Sequence, residues 1–515
     1  MKINGYLSIL LSSTLFKTNG TRKLPFTCQR LWRLDLRETP CYLHVTQCFR
    51  GEFAKKLGIH LGGPYVDKSY AEKLAEFIVS FNLKDVPTNV IEHTKLCILD
   101  WFGAALAGAN EKEAAMLIEF FKDFTPREAT MMGSRFKVPA QDAAYVNGTI
   151  SHMIELDDVH REAIIHPGAP VVPAALALSE KLSTPGSTLI EAVIVGYEVE
   201  IAVGKAVNPS HYRYWHTTGT CGTFGAAAAS SKVLNLTLDK TINCLGIAGT
   251  HAAGLIEVFG TSSKPLNPGR AARDGVMAAL LARIGFTGPK TILEGEKGFF
   301  KATSTETSYE KGFSMLGITY EITRNSFKRH ASCGHTHAAI DAVLDLKSQF
   351  NFKPKDVVEV VVGTYKDALE IVGKNYEPKT PAEAKFSLPY CIAIAIIDGV
   401  VGLRQFTYEN LNRSDIRDLM KRVKVYLDNE MNMTYPQKLG AKVRVALRNG
   451  EVYEKVVESA KGSPENPLSK DELINKFMDL ASLKVSLEKS KELVNVIMKL
   501  EKLNSVNELI EVLTS

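Results

Sequence analysis

Much that would point to a cofactor or a membrane is missing from this chain of 515 residues. It has no CxxC pair, no HExxH, no GxGxxG behind a strand, no run of 18 or more uninterrupted apolar residues, and no internal repeat or low-complexity tract. Eight cysteines stand at 28, 41, 48, 97, 221, 244, 333 and 391, at no spacing used by zinc fingers or ferredoxins. A metal or iron–sulfur ligand set is therefore not expected, and the thiols read as scattered buried groups of a reducing compartment. Charge of one sign is also scarce. The 62 Lys and Arg against 57 Asp and Glu leave a formal net charge of +5, with no basic runs carrying interleaved aromatics. That pattern argues against nucleic acid as a partner and suits a small anionic ligand equally well. Without a long apolar run no membrane-spanning helix is proposed.

What is present is an ordinary globular mixture, 45% hydrophobic and 23% charged. Single cores stop growing at about 250 to 300 residues, so two domains are expected. Residues 1–65 stand apart. The opening MKINGYLSILLSSTLF carries only a short apolar run, broken by Asn4, Gly5 and serines, and no signal-type cleavage site follows. Arg22, Lys23, Arg30, Arg33, Arg37 and Arg50 outnumber Asp35, Glu38 and Glu52. That is the composition of a transit peptide, and a translation start placed too early would look the same. The leader is expected to lie outside the fold, of a cytoplasmic protein, or a mitochondrial one if the leader is a transit peptide.

Helical spacing begins near Val66, with Leu74, Phe77, Ile78 and Phe81, and persists through segments rich in Ala and Gly that permit close helix packing. After Gly317 the texture changes. DVVEVVVGTY at 356–365 is β-branched, 422–427 alternates, and Lys442–Leu447 and Val452–Val457 flank an Asn449-Gly450 turn, a hairpin signature. Ser469 with Glu472 forms a capping-box pattern that returns the chain to helix. The expected architecture is mainly α: a large all-α helical domain over 66–322 and 463–515, with a smaller α+β lid domain inserted at 323–462. Such an insertion places a cleft between the two, where pockets are favoured.

Four clusters could carry chemistry. ELDDVHREAIIHPG at 155–168 holds four acids and two histidines beside a Pro-Gly break, which suits proton transfer next to a carboxylate, where a base meets a weakly acidic C–H and an acid serves the leaving oxygen. A capped helix end with exposed histidines would explain it as well. His216 opens HTTGTCG, whose small residues could offer free N–H groups to a carboxylate or simply let helices touch. Lys264, Arg270 and Arg273 lie in GTSSKPLNPGRAARDG, where cations could pair with carboxylates or be solvated. Lys328–His337, KRHASCGHTH, brings three histidines without an acid, and Tyr390 is a lone aromatic whose plainer reading is core.

Taken together, LDDVHREAIIHPGAPVVPAALA, HTTGTCGTFGAAAA, KPLNPGRAARDG, FTGPKTILEGEKGF and KRHASCGHTHAAID resemble the MmgE/PrpD family, in this order over roughly 66–515. The resemblance implies a helical domain with a lid, usually a homodimer, acting without a cofactor or metal on a small polycarboxylate. Family activities include 2-methylcitrate dehydratase, cis-aconitate decarboxylase and an iminodisuccinate epimerase. It implies active-site positions at Asp157 or Asp158, His160, His166, His216, Lys264, Lys328 and Tyr390; the expected catalytic set is His166, His216, Asp158 and Tyr390, with substrate contacts from Asp157, His160, Lys264, Lys328 and, from the cationic loop, Arg270. Two departures stand out. Asn267 replaces the histidine of a common KPLH, and Cys333 stands where the decarboxylase has a histidine. The expected function is a metal-independent hydro-lyase on 2-methylcitrate or a relative. A decarboxylase or epimerase in the same pocket is the alternative, and an inactive ligand-binding or scaffold protein is the alternative of another class.

Overall fold

A computed structural model of the protein describes residues 68–515, so the leader lies outside the described residues. The first described helix, α1 (Tyr70–Ser80), starts at a reciprocal capping box. The Ser69 side chain accepts from Glu72 N, and the Glu72 carboxylate accepts from Ser69 N. There follow α2 (Thr88–Gly108), α3 (Lys112–Phe121), a two-residue ribbon of β1 (Ala129–Thr130) and β2 (Lys137–Val138), α4 (Ala140–His152), α5 (Gly168–Leu182), α6 (Gly186–Val207), α7 (Thr217–Val233), α8 (Leu238–His251) and α9 (Leu266–Ile284).

Helix α7 is buried on nearly all sides, between α6, α5 and α9. Small residues make this possible. A Cβ added at Gly275 of α9 would meet Ala226 Cβ at 2.4 Å, and one at Gly222 would meet Pro170 Cγ at 2.7 Å. The Gly and Ala of HTTGTCGTFGAAAA thus serve helix contact, the plainer of the two readings open to them.

Beyond Ile284 the described chain runs through turns and short helices to α10 (His337–Phe350) and α11 (Leu388–Asp398), which cover a four-stranded sheet. Its order is β4-β3-β5-β6, with β3 (Val357–Thr364) parallel to β4 (Val423–Leu427) and antiparallel to β5 (Ala441–Leu447), and β5 antiparallel to β6 (Val452–Val457). The hairpin between β5 and β6 turns at Gly450, whose φ of +92° favours glycine. In β5 the residues Ala441, Val443, Val445 and Leu447 are buried and alternate with more exposed ones. Helices α12 (Lys470–Ala481), α13 (Leu487–Ile497) and α14 (Asn507–Thr514) close the chain, and α12 lies along α2. The fold is mainly α, with one four-stranded sheet and the two-stranded β1–β2 ribbon among the described residues. No helix among the described residues is long and apolar enough to cross a membrane.

Buried apolar side chains form two clusters. One draws on residues 71–327 and 468–513. The other draws on residues 331–457, together with Ala104, Ala107, Ile154, Leu156 and Leu480. Ile154 and Leu156 come from the segment that follows α4, and that segment carries the chemistry.

Candidate active site

The segment 153–158 leaves the C-terminus of α4 with Glu155 in the left-handed region at φ +60°. A non-glycine residue held there is strained, and such strain concentrates at functional sites. Ile154 and Leu156 point into the second apolar cluster. Asp157 meets two imidazoles: its Oδ2 lies 2.6 Å from His152 Nδ1 and 3.4 Å from His166 Nδ1. A carboxylate only accepts, so His152 donates from Nδ1. Burial alone would raise the Asp157 carboxyl, but the charges of His152 and His166 outweigh it and hold the group well below the usual carboxylate range. The rings of His152 and His166 meet edge to face, with centroids 4.9 Å apart.

His216 stands at the N-cap position of α7, and its ring stacks on that of His152 with the planes 30° apart and the centroids 5.6 Å apart. Its Nδ1 is 3.2 Å from the Asn267 side-chain nitrogen. Burial, followed by His152, Lys264 and His166, pushes its pKa well below that of a free imidazole. The ring is therefore neutral near pH 7. With Nδ1 accepting from Asn267, its proton sits on Nε2. Thr218 accepts from His166 N at 3.2 Å.

Opposite the histidines stand two cations. Lys264 is ion-paired with the Glu155 carboxylate and lies 5.1 Å from the Phe259 ring centre. Lys328 is 3.8 Å from the other Glu155 oxygen and donates to the Glu155 carbonyl at 2.8 Å. Burial works upward on Glu155, but Lys264 and then Lys328 hold it far below its ordinary value. His166, His216, Thr218, Lys264, Lys328, Tyr212 and Cys333 line a cavity of about 280 Å³. Its walls come from both the helical part and residues 326–337, with 439 and 460–463.

Five of the expected residues, Tyr390, Arg270, His160, Asp158 and Asp157, are not in this cavity's wall. Tyr390 is buried under Phe406 and its hydroxyl donates to the Gln405 carbonyl at 2.6 Å, which assigns it to packing inside the α+β part. Arg270 turns inward, donating to the carbonyls of His251, Ala253 and Gly219 and pairing with Asp274, so it caps the end of α8. His160 pairs with Glu321 at 3.1 Å and is buried. Asp158 accepts from Tyr197 at 2.7 Å, from Gly168 N at 3.0 Å and from Asn325, which braces the start of α5. Asp157 is buried behind the two imidazoles and acts on the cavity through them. His152 and Glu155 were not selected from the sequence. Both lie within five residues of Asp157, and Glu155 is part of the cluster quoted there.

His152, Asp157 and His166 could offer ligand atoms within 4.8 Å of one another. Two ligands on one tetrahedral zinc would stand about 3.3 Å apart. The 2.6 Å between Asp157 and His152 is a hydrogen-bond distance, and the arrangement described is a hydrogen-bonded His152–Asp157 pair with His166 in charge contact beside it.

Comparison with known proteins bears on the same residues. The sequence profile of the MmgE/PrpD N-terminal domain matches residues 72–311, and that of the C-terminal domain matches residues 330–502. The chain is 29% identical over 454 residues to the cis-aconitate decarboxylase of Aspergillus terreus, covering 83% of this chain and 92% of that protein. It is 28% identical over 464 residues to the enzyme of that name from Mus musculus, covering 87% and 93%. It is 21% identical over 389 residues to the 2-methylcitrate dehydratase of Salmonella typhimurium, covering 70% and 79%.

Proposed function

Since the chain belongs to the MmgE/PrpD family, we propose that it is a lyase acting on a small polycarboxylic acid, with decarboxylation of a cis-aconitate-like acid as the leading reaction. The observation that carries the reading is the cavity that sets the Lys264–Glu155–Lys328 group against the His166–Asp157–His152 group. A substrate carboxylate competes with Glu155 for Lys264, and a second carboxylate reaches Lys328. When one carboxylate leaves as carbon dioxide, its bonding pair stays on the adjacent carbon and spreads into the neighbouring double bond and carboxylate. The ammonium groups stabilise that charge, and preorganised charge of this sort usually supplies the largest share of a rate enhancement.

The carbanion then takes one proton, forming the new C–H bond. His166 is placed to give it, because its ring lines the cavity with Nδ1 3.4 Å from the Asp157 carboxylate, which orients it. His216 is neutral and offers its Nε2–H as a hydrogen bond to the developing charge. No other group is needed to balance the step.

The similarity to decarboxylases extends over more of the chain, and at higher identity, than that to dehydratases. One residue favours the second reading. Cys333 lines the cavity where a decarboxylase histidine was expected, and burial pushes its thiol above its usual range, so it is a poor proton carrier. In a dehydration the same His166 would remove an α-proton while His216 gives its Nε2 proton to the departing hydroxyl, which leaves as water. Incubation of the purified protein with cis-aconitate and 2-methylcitrate tests both. Release of carbon dioxide from cis-aconitate supports the leading reading, and loss of water from 2-methylcitrate supports the second. Turnover of neither acid overturns the assignment.

A further inference from the structure

Three consecutive carbonyls of the strained segment are each held by a lysine from a different part of the chain. Lys385 donates to Ile154 O at 3.3 Å, Lys328 to Glu155 O at 2.8 Å, and Lys476 to Leu156 O at 2.8 Å. Lys328 and Lys385 border cavities at the site. Lys476 borders neither. It projects from α12, some three hundred residues further along the chain, and its ammonium also pairs with Asp100 of α2 at 2.6 Å. The Asp100 side chain is 1% exposed and that of Lys476 11%.

We propose that Lys476 is a positioning residue of the active site: through the Leu156 carbonyl it sets the peptide that aims Asp157 at His152 and His166. The physical case is directional. Leu156 O belongs to the peptide unit whose nitrogen is that of Asp157, and a peptide unit is planar through to the Asp157 Cα, so holding the oxygen restrains the point from which the Asp157 side chain departs. Asp157 must reach His152 at 2.6 Å and His166 at 3.4 Å, and a displacement of about 1 Å in such a constellation can cost about a hundredfold in rate. Asp100 holds the ammonium in place, so α2 and α12 together act as the fixed mount. The C-terminal helices, which contribute nothing to the cavity wall, are thereby part of the reactive assembly.

The kinetic half of this rests on the lyase reading, so the test includes a readout that needs no substrate. In the full chain, Lys476→Met alone leaves Asp100 buried and unpaired and should lose stability as well as rate. The deciding comparison is therefore wild type against Asp100→Leu/Lys476→Met, where both members of the pair leave together and neither is stranded. Positioning predicts that kcat falls at least tenfold between them while KM changes less than threefold and Tm stays level. Lys476→Arg, which can still reach the carbonyl, should keep kcat within about threefold of wild type. In the substrate-free protein the 15N imidazole signals of His152 and His166 should move between the same two proteins, while those of the more distant His211 stay. Equal kcat in the two proteins, or a fall in kcat that merely follows Tm, overturns the proposal. So do unmoved His152 and His166 signals. If the wild-type protein turns over neither acid, the functional reading fails, and the imidazole signals alone decide the positioning role.

Discussion

Asn267 places its side-chain nitrogen 3.2 Å from Nδ1 of His216. An amide NH2 can only donate, so the contact fixes the imidazole as an acceptor on that side and a donor on the other. The residue that departs from the family's KPLH pattern is thus the one that sets the tautomer of a cavity histidine. It leaves His166, beside Asp157, as the cavity imidazole placed to exchange a proton with substrate.

His166→Asn should therefore lower kcat by about a hundredfold to ten-thousandfold, the usual share of a positioned acid or base. The His166 side chain is 16% exposed and makes no aligned hydrogen bond through Nδ1, so Tm should change little. Measuring kcat, substrate affinity and thermal unfolding on one variant checks this, and an unstable variant with normal kcat would remove His166 from the chemistry.

Lys264→Ala should reduce kcat/KM by about two to four orders of magnitude, since losing one partner of a buried charge pair costs about 3 to 5 kcal/mol. Glu155 keeps Lys328, so the fold should survive the change. Steady-state kinetics beside a melting curve separates the two effects. Near-normal kinetics would mean that Lys264 serves Glu155 and not the substrate.

Exhaustive chelation should leave turnover unchanged, because Asp157 and His152 stand at hydrogen-bond distance. Activity that is lost on chelation and returns only with zinc or iron would show that His152, Asp157 and His166 hold a metal during the reaction.

Acid stability should depend on His211. It is fully buried, with its Nε2 2.7 Å from the Thr220 hydroxyl and its Nδ1 3.2 Å from the Thr303 carbonyl, and burial lowers its pKa from 6.5 to about 4. The unfolded chain then binds this proton first as pH falls. Its contribution to stability is complete above pH 6.5 and is lost progressively as pH falls towards 4, up to about 3 kcal/mol in all. Replacing it with Asn should flatten unfolding free energy against pH over that window, as read from urea titrations at pH 7 and pH 4.5. An unchanged slope would show that His211 is not the group responsible.

The division of the chain into helical and β-rich stretches is legible in the sequence because period, β-branching and the Asn449-Gly450 turn are local signals. His166, His216, Lys264 and Lys328 could be singled out for the same reason, each lying in a dense, recognisable motif, and all four line one cavity. The residues that face elsewhere differ in orientation, which a local motif does not show. Arg270 lies six residues from Lys264, but by then the chain is inside α9 and the side chain faces the end of α8. Tyr390 sits in the first turn of α11, facing Phe406. His152 is hidden as the last residue of an alanine-rich helix, and no local pattern links Lys476 to Leu156 across 320 positions.

Ile154 and Leu156 are packed in the α+β core, while Glu155 and Asp157, alternating with them, hold the lysine and the histidines. Any motion that parts the two cores must either pull both side chains out of that packing or carry the segment away from His166 and Lys264. Opening the cleft and disarming the chemistry would then be one event. An open form of this protein would be inert towards bulk water and stray acids, and the reactive arrangement would exist only around an enclosed substrate.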